Sequence, residues 1–142
     1  MNQRGFATLE VILMVMVIGI LASIAVPRFT SVTTAANTAK VQADLSTIDT
    51  AIAVYHMEYG ENTNPADVAA LVTAGYLQAE PKPPKGYVYV KEETGDEPTS
   101  KAINKEKYET STGQATLDSK TADKFYVPKK TTPTTPETTD GG

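Results

Sequence analysis

The chain contains no cysteine. That excludes a disulfide framework, a cysteine-based zinc site and a thiol nucleophile. Histidine is nearly absent too: His56 is the single one, so an imidazole-based metal site has no second ligand. His56 is expected to be a partly exposed helix residue. No Ser-His-Asp set can be argued from spacing, there is no glycine-rich phosphate loop, and no carboxylate series has EF-hand spacing. Asp96, Glu97, Asp118 and Asp123 are the acidic positions on which a loop calcium site would draw. The expectation is a protein that is not an enzyme and has no cofactor or resident metal.

Positive charge is also scarce. Thirteen Lys and Arg face 17 Asp and Glu, giving a formal charge of -4. Without Arg4 and Glu10 the count is 12 against 16, and the remainder is still -4. A general nucleic-acid surface needs a basic face, so no specific nucleic-acid site is expected. The 142 residues suit one modest domain. The first third holds nearly all the long aliphatic side chains, and the last third is rich in Thr, Lys, Glu and Pro. A globular core must come mainly from the middle and will be small. Domains of that size commonly need a staple or association with copies of themselves.

What the chain does have is one long apolar run. Phe6 to Val26 reads FATLEVILMVMVIGILASIAV, with a single charge. As a helix of about 21 residues at roughly 1.5 Å each, it is about 30 Å long, enough to cross a hydrocarbon core. Arg4 and the amino terminus put positive charge on the near side, which directs the rest outward, and Arg28 beyond the run opposes this slightly. Three readings compete: a cleavable secretory signal ending near Ser23-Ile24-Ala25, a plain anchor, and a segment built for assembly. Glu10 separates them. A carboxylate at bilayer depth costs on the order of 2–3 kcal/mol, and neither a disposable signal nor a passive anchor gains from it. The bland alternative is that Glu10 snorkels, favoured by the helix dipole.

The surroundings of Glu10 are specific. In RGFATLE, Gly5 precedes aromatic Phe6, and the carboxylate follows four residues later. This resembles the class III signal of type IV pilins and the related pseudopilins. The resemblance implies that a membrane-embedded prepilin peptidase cuts after Gly5 and N-methylates Phe6, and that Glu10 is the assembly carboxylate. It also matches Gly19 to the family's mid-segment glycine and Pro27 to its helix-kinking proline. The commonest form of the motif reads Phe-Thr-Leu-Ile-Glu, whereas this chain has Phe6-Ala7-Thr8-Leu9-Glu10; the spacing from glycine to glutamate is kept. The chemistry is consistent with that role. Cleavage creates a new amine on an apolar helix, and an amine and a Glu of neighbouring subunits neutralise each other once helices bundle in a dry core. Such a pair also fixes stagger.

Beyond Pro27 helical periodicity resumes. Val41, Leu45, Ile48, Ile52, Tyr55 and Tyr59 form one apolar stripe, with Lys40, Asp44, Asp49, Thr50 and Glu58 on the opposite face. Pro27 removes a backbone hydrogen bond, so a kink or a locally extended stretch is expected there, and Gly19–Pro27 is the section most easily unwound. Between Phe29 and Ala39 the mostly small residues fit either close approach of a neighbouring element or a solvated stretch. Gly60 closes the helix. Asn64 as N-cap, Pro65 and Asp67 predict a short helix carrying Val68, Leu71 and Val72 and stopped by Gly75; Tyr76 and Leu77 tuck under the long helix. This region resembles that of cysteine-free pilins from competence-type and Gram-positive systems, and of major pseudopilins. Pro81–Gly86 is a turn-rich link, Tyr87–Val90 a strand and Gly95-Asp96 a turn. Weaker strands are placed at 107–110, 114–117 and 124–127.

The predicted fold class is α+β: a long kinked N-terminal helix, half transmembrane and half amphipathic, packed on a small antiparallel sheet. The predicted divisions are a leader at 1–5, an apolar helix at 6–27, an amphipathic helix at 28–59, a head at 60–127 and a Thr/Pro-rich flexible tail at 128–142, read as disordered or extended and a candidate for O-glycosylation. The resemblance implies a precursor in the cytoplasmic membrane, then an extracellular surface filament: a homopolymer through the N-terminal helices. It implies prepilin peptidase, an assembly platform with its ATPase, and minor pilins as partners. Major pilin of a type IV pilus is the first expectation, serving adhesion, motility or DNA uptake. Major pseudopilin of a type II secretion system is the alternative, and a tethered binding module is the third.

Overall fold

The computed structural model describes residues 3–92, 95, 97–110 and 113–129. A single helix, α1, runs from Gln3 to Tyr59, 57 residues, about 85 Å at the helical rise. It is bent but not interrupted: helical backbone continues through Gly19 and Pro27, so the locally extended alternative does not occur. Pro27 has no N–H, which leaves the Ser23 carbonyl without its helical partner. Gly60 follows the last helical residue, donating its N–H to the His56 carbonyl at 2.8 Å.

Among the described residues, the small head packs only on the second half of α1. Val41, Leu45, Ile48 and Ile52 are buried along the predicted stripe, with Ala51 beside them. Tyr55 is partly buried, whereas Tyr59 is 53 % exposed and leaves the stripe. The helix ends there, and Tyr59 stacks on Tyr55 with ring centres 4.6 Å apart instead of entering the core. At the other end the stripe extends further than expected, through Thr38 and Thr34, both buried.

The short helix α2 spans Val68–Thr73, a turn later than the Asn64 cap predicts. Asp67 is the N-cap, its carboxylate accepting from the Ala70 N–H at 2.8 Å. Asn64 faces His56 instead, 3.1 Å from its Nε2. The predicted stop is found at Gly75. Its φ of +84 ends the helix, its N–H bonds the Val72 carbonyl at 3.1 Å, and the Tyr76 N–H reaches the Leu71 carbonyl at 2.9 Å. That is a Schellman closure, and it turns Tyr76 and Leu77 back against the core.

Strand β1, Tyr87–Val90, is as predicted, with Val88 and Val90 buried and Tyr87 exposed. Its partner β2, Thr99–Ala102, is none of the strands predicted. It pairs antiparallel, Tyr87 opposite Ala102 and Val90 opposite Thr99. All four β2 residues are exposed; an edge strand with nothing to bury carries no apolar alternation to read. The three weaker strands reduce to single bridges: Glu109 with Thr116, and Phe125 with Val90. A third bridge, Leu117 with Lys120, closes a two-residue turn at Asp118 and Ser119, both at positive φ. Among the described residues the sheet therefore has two strands, and loops supply Tyr108, Ala115, Leu117 and Phe125 to the core.

Candidate assembly helix

The first half of α1 packs against nothing else among the described residues. Phe6 is 80 % exposed, and Leu9, Ile12, Met14, Ile18 and Leu21 are all more than half exposed. A window with mean hydropathy 2.7 lies in this helix, none of it buried. An apolar surface on this scale marks a membrane or protein contact. The few polar side chains turn inward. Thr8 donates to the Arg4 carbonyl at 2.6 Å, and Ser23 to the Ile20 carbonyl at 2.7 Å. Hydroxyls satisfied by their own helix tolerate a dry environment.

Glu10 is the exception. It lies beside a shallow apolar groove lined by Leu13, Met14, Val17 and Ile18. With helix already present at Gln3, Glu10 stands two turns in, about 10 Å along the axis. The dipole's influence falls off within the first turn, so in the uncut chain it gives this carboxylate little help. Gly5 and Phe6 lie in the first turn described, both exposed, with open space around the Gly5 Cα. Met1 and Asn2 of the predicted leader lie outside the described residues. Gly19 likewise has open space where a Cβ would stand, so no contact among the described residues requires a glycine there.

The second half of α1 is tied to the head by polar contacts whose partners the sequence does not identify. Thr38 Oγ1 accepts from the Tyr89 N–H at 2.8 Å, and Asn37 donates to the carbonyls of Lys85 and Tyr87, each at 3.2 Å. The small-residue stretch before Ala39 thus permits close approach of β1. Asp44 and Asp49, expected on the solvated face, are half-buried clasps. Asp44 accepts from Tyr108 at 2.6 Å and Lys40 at 2.5 Å; Asp49 accepts from the Ala115 N–H at 2.6 Å. Gln42 donates to the Phe125 carbonyl at 2.5 Å. Glu58, also placed on that face, accepts from the Tyr76 hydroxyl. A polar residue one step off an apolar stripe is the available signal, but for Asp44, Asp49 and Gln42 the partner comes from loops more than 60 residues away.

Among the described residues no three His, Asp or Glu side chains come together as a metal site. Glu97 is exposed, Asp118 accepts from the Asn104 N–H at 3.2 Å and Asp123 from the Thr121 hydroxyl; Asp96 lies outside the described residues, as do 130–142 of the tail.

No family model matches the chain, and no solved structure matches it significantly. Among curated proteins, it is 32% identical over 92 residues to the type II secretion system core protein G of Pectobacterium carotovorum, covering 61% of this chain and 58% of that protein. It is 30% identical over 102 residues to the core protein G of Klebsiella pneumoniae, covering 62% and 73%. It is 41% identical over 54 residues to PilA5, the type IV narrow pilus major component of Thermus thermophilus, covering 38% and 47%. The chain thus spans about half of the Pectobacterium and Thermus proteins.

Proposed function

Because this chain belongs to the pilin and pseudopilin superfamily, we propose that it is a structural subunit that polymerises through its N-terminal helix, as the major pilin of a type IV pilus. One observation carries this reading: a helix half with no partner among the described residues, apolar from Phe6 onward apart from Thr8 and Ser23, whose hydroxyls bond their own helix, and one carboxylate in its third turn. In lipid Glu10 is a cost; in a bundle of copies it gains the amine that cleavage after Gly5 creates on Phe6. The precursor sits in the cytoplasmic membrane, and the product is a surface filament coated by the heads. Prepilin peptidase, an assembly platform with its ATPase, and minor pilins are the partners this reading calls for. Gly19–Pro27, with its missing N–H, is the section of the helix that yields under tension.

Electron microscopy of sheared surface material, with mass spectrometry of the subunit's N-terminus, tests the reading. Fibres whose subunit begins with methylated Phe6 are expected. Glu10→Gln should be cleaved normally and yield no fibres. A mature chain beginning at Val26, or fibres from Glu10→Gln at wild-type yield, would sink it.

The longer alignments, to core proteins G, favour a second reading as the major pseudopilin of a type II secretion system. Deleting the gene separates the two. Loss of surface fibres with exoprotein release intact supports the pilus; retention of exoproteins inside the cell supports the pseudopilus.

A further inference from the structure

The head carries a cleft that assembly through α1 does not use. It encloses about 570 Å³, within the range of sites for small ligands. Residues 80–86 form one wall and residues 103–107 the other. Both walls are pinned. The Lys40 ammonium donates to the Lys82 carbonyl at 3.0 Å, and Asn37 to the Lys85 carbonyl at 3.2 Å. The Ile103 N–H joins the walls by donating to the Gly86 carbonyl at 2.9 Å, and the Asn104 N–H donates to Asp118 at 3.2 Å. Pro83 and Pro84 add fixed backbone angles of their own. A cleft held open in this way costs a ligand little ordering of the protein.

The lining reverses the sign of the chain. Lys82, Lys85, Lys105 and Lys107 stand against Glu80 and Glu106, an excess of two positive charges in a protein of net charge -4. Lys105 is engaged by Glu109 at 2.8 Å, and Lys107 lies 3.7 Å from Glu80. Lys82 and Lys85 are exposed, and among the described residues no acceptor engages either ammonium. Between the charges, the half-buried Pro83, Pro84 and Ile103 supply apolar surface. The Asn104 side chain offers both a donor and an acceptor.

These parts select among ligand classes. A bare phosphate or a nucleic-acid backbone uses the lysines but is repelled by Glu80 and Glu106. Among the described residues no aromatic ring lines the cleft on which a base could stack. A wholly apolar ligand gains nothing from the lysines. An acidic sugar uses every part. Its carboxylate accepts charge-assisted hydrogen bonds from Lys82 and Lys85, its hydroxyls donate to Glu106 and accept from Asn104, and the C–H face of its ring packs on the prolines and Ile103. We propose that the cleft between residues 80–86 and 103–107 is a binding site for acidic saccharides built of uronic acid units, with Lys82 and Lys85 holding the carboxylate. The site goes beyond the assembly role and holds for either kind of filament.

Titration calorimetry on the detergent-solubilised full chain tests it, with tetramers of galacturonate, guluronate and hyaluronate as probes. At least one tetramer is expected to bind, and its methyl ester, which keeps the rings and removes the charge, at least ten-fold more weakly. The double variant Lys82→Gln/Lys85→Gln should bind the same tetramer at least ten-fold more weakly. Its thermal midpoint should be unchanged, since neither side chain is bonded to the fold. Lys91→Gln, an exposed lysine just beyond β1, should leave the affinity as it is. Binding of none of the three tetramers overturns the proposal, as does equal affinity for the methyl ester. A loss with Lys91→Gln as large as that of the double variant overturns it too, because the attraction is then diffuse and not sited. Tighter binding of a thymidylate tetramer than of any saccharide assigns the cleft to nucleic acid instead, against the proposal.

Discussion

The Tyr108 hydroxyl donates to Asp44 Oδ2 at 2.6 Å across 64 residues of sequence. Asp44 also holds Lys40, whose ammonium donates to the Lys82 carbonyl at 3.0 Å. One helix carboxylate therefore gathers two loops of the head. Tyr108→Phe keeps the buried ring, which is 4 % exposed, and removes only the donor. The expected loss is about 1–2 kcal/mol, read as a lower thermal midpoint of the detergent-solubilised full chain, with the helical content of α1 unchanged.

Alkaline pH should act through the same contact. Burial, and then the hydrogen bond to Asp44, push the Tyr108 phenol well above its ordinary value of about 10. At Tyr76 the hydrogen bond to Glu58 pushes the phenol the same way. In the unfolded chain both ionise near the ordinary value. Their contribution is thus complete below about pH 10 and is lost as pH rises above it. Ultraviolet titration should show the phenolate of Tyr108 emerging only together with unfolding. A Tyr108 signal that titrates near pH 10 in the folded chain would contradict the contact.

Asp49 offers a sharper deletion. Its carboxylate is the partner of the Ala115 N–H, and Ala115 is fully buried. Asp49→Ala leaves that amide without an acceptor, which costs about 1–3 kcal/mol. Hydrogen exchange should show the Ala115 amide opening faster than that of Val88 in β1, which the variant leaves in place.

Two glycines should respond differently to alanine. Gly75, at φ +84, has open space around it, so Gly75→Ala meets only the left-handed backbone penalty of about 1 kcal/mol. Gly113, at φ +75, would bring its new Cβ to 2.9 Å from Asn64 Oδ1 and 3.5 Å from the His56 ring. Gly113→Ala should therefore destabilise more, by roughly 2–3 kcal/mol, and the order of the two thermal midpoints checks it.

Much of this molecule is legible without coordinates because the signals are local. Val41, Leu45, Ile48 and Ile52 announce a buried stripe through spacing alone, and Tyr87–Val90 announces a strand by alternation. Gly60 and Gly75 mark their helix ends. Other features needed a partner. Asn64 and Asp67 are both chemically good caps; the fold turned Asn64 toward His56 and left the cap to Asp67. Thr99–Ala102 has no pattern of its own and becomes a strand because β1 presents a free edge to it.

By itself the sequence determined the long helix, its apolar first half, the position of Glu10 within it and the absence of any covalent staple. Each is a property of consecutive residues or of composition. Only the tertiary structure decided which polar residues of α1 are solvated and which clasp the head, since the hydrogen bonds to Tyr108, Ala115 and Phe125 are long-range contacts with no local signature. It also decided that Phe29, Val32 and Met57 are left exposed by the head, because burial is a relation between surfaces and not a property of either one.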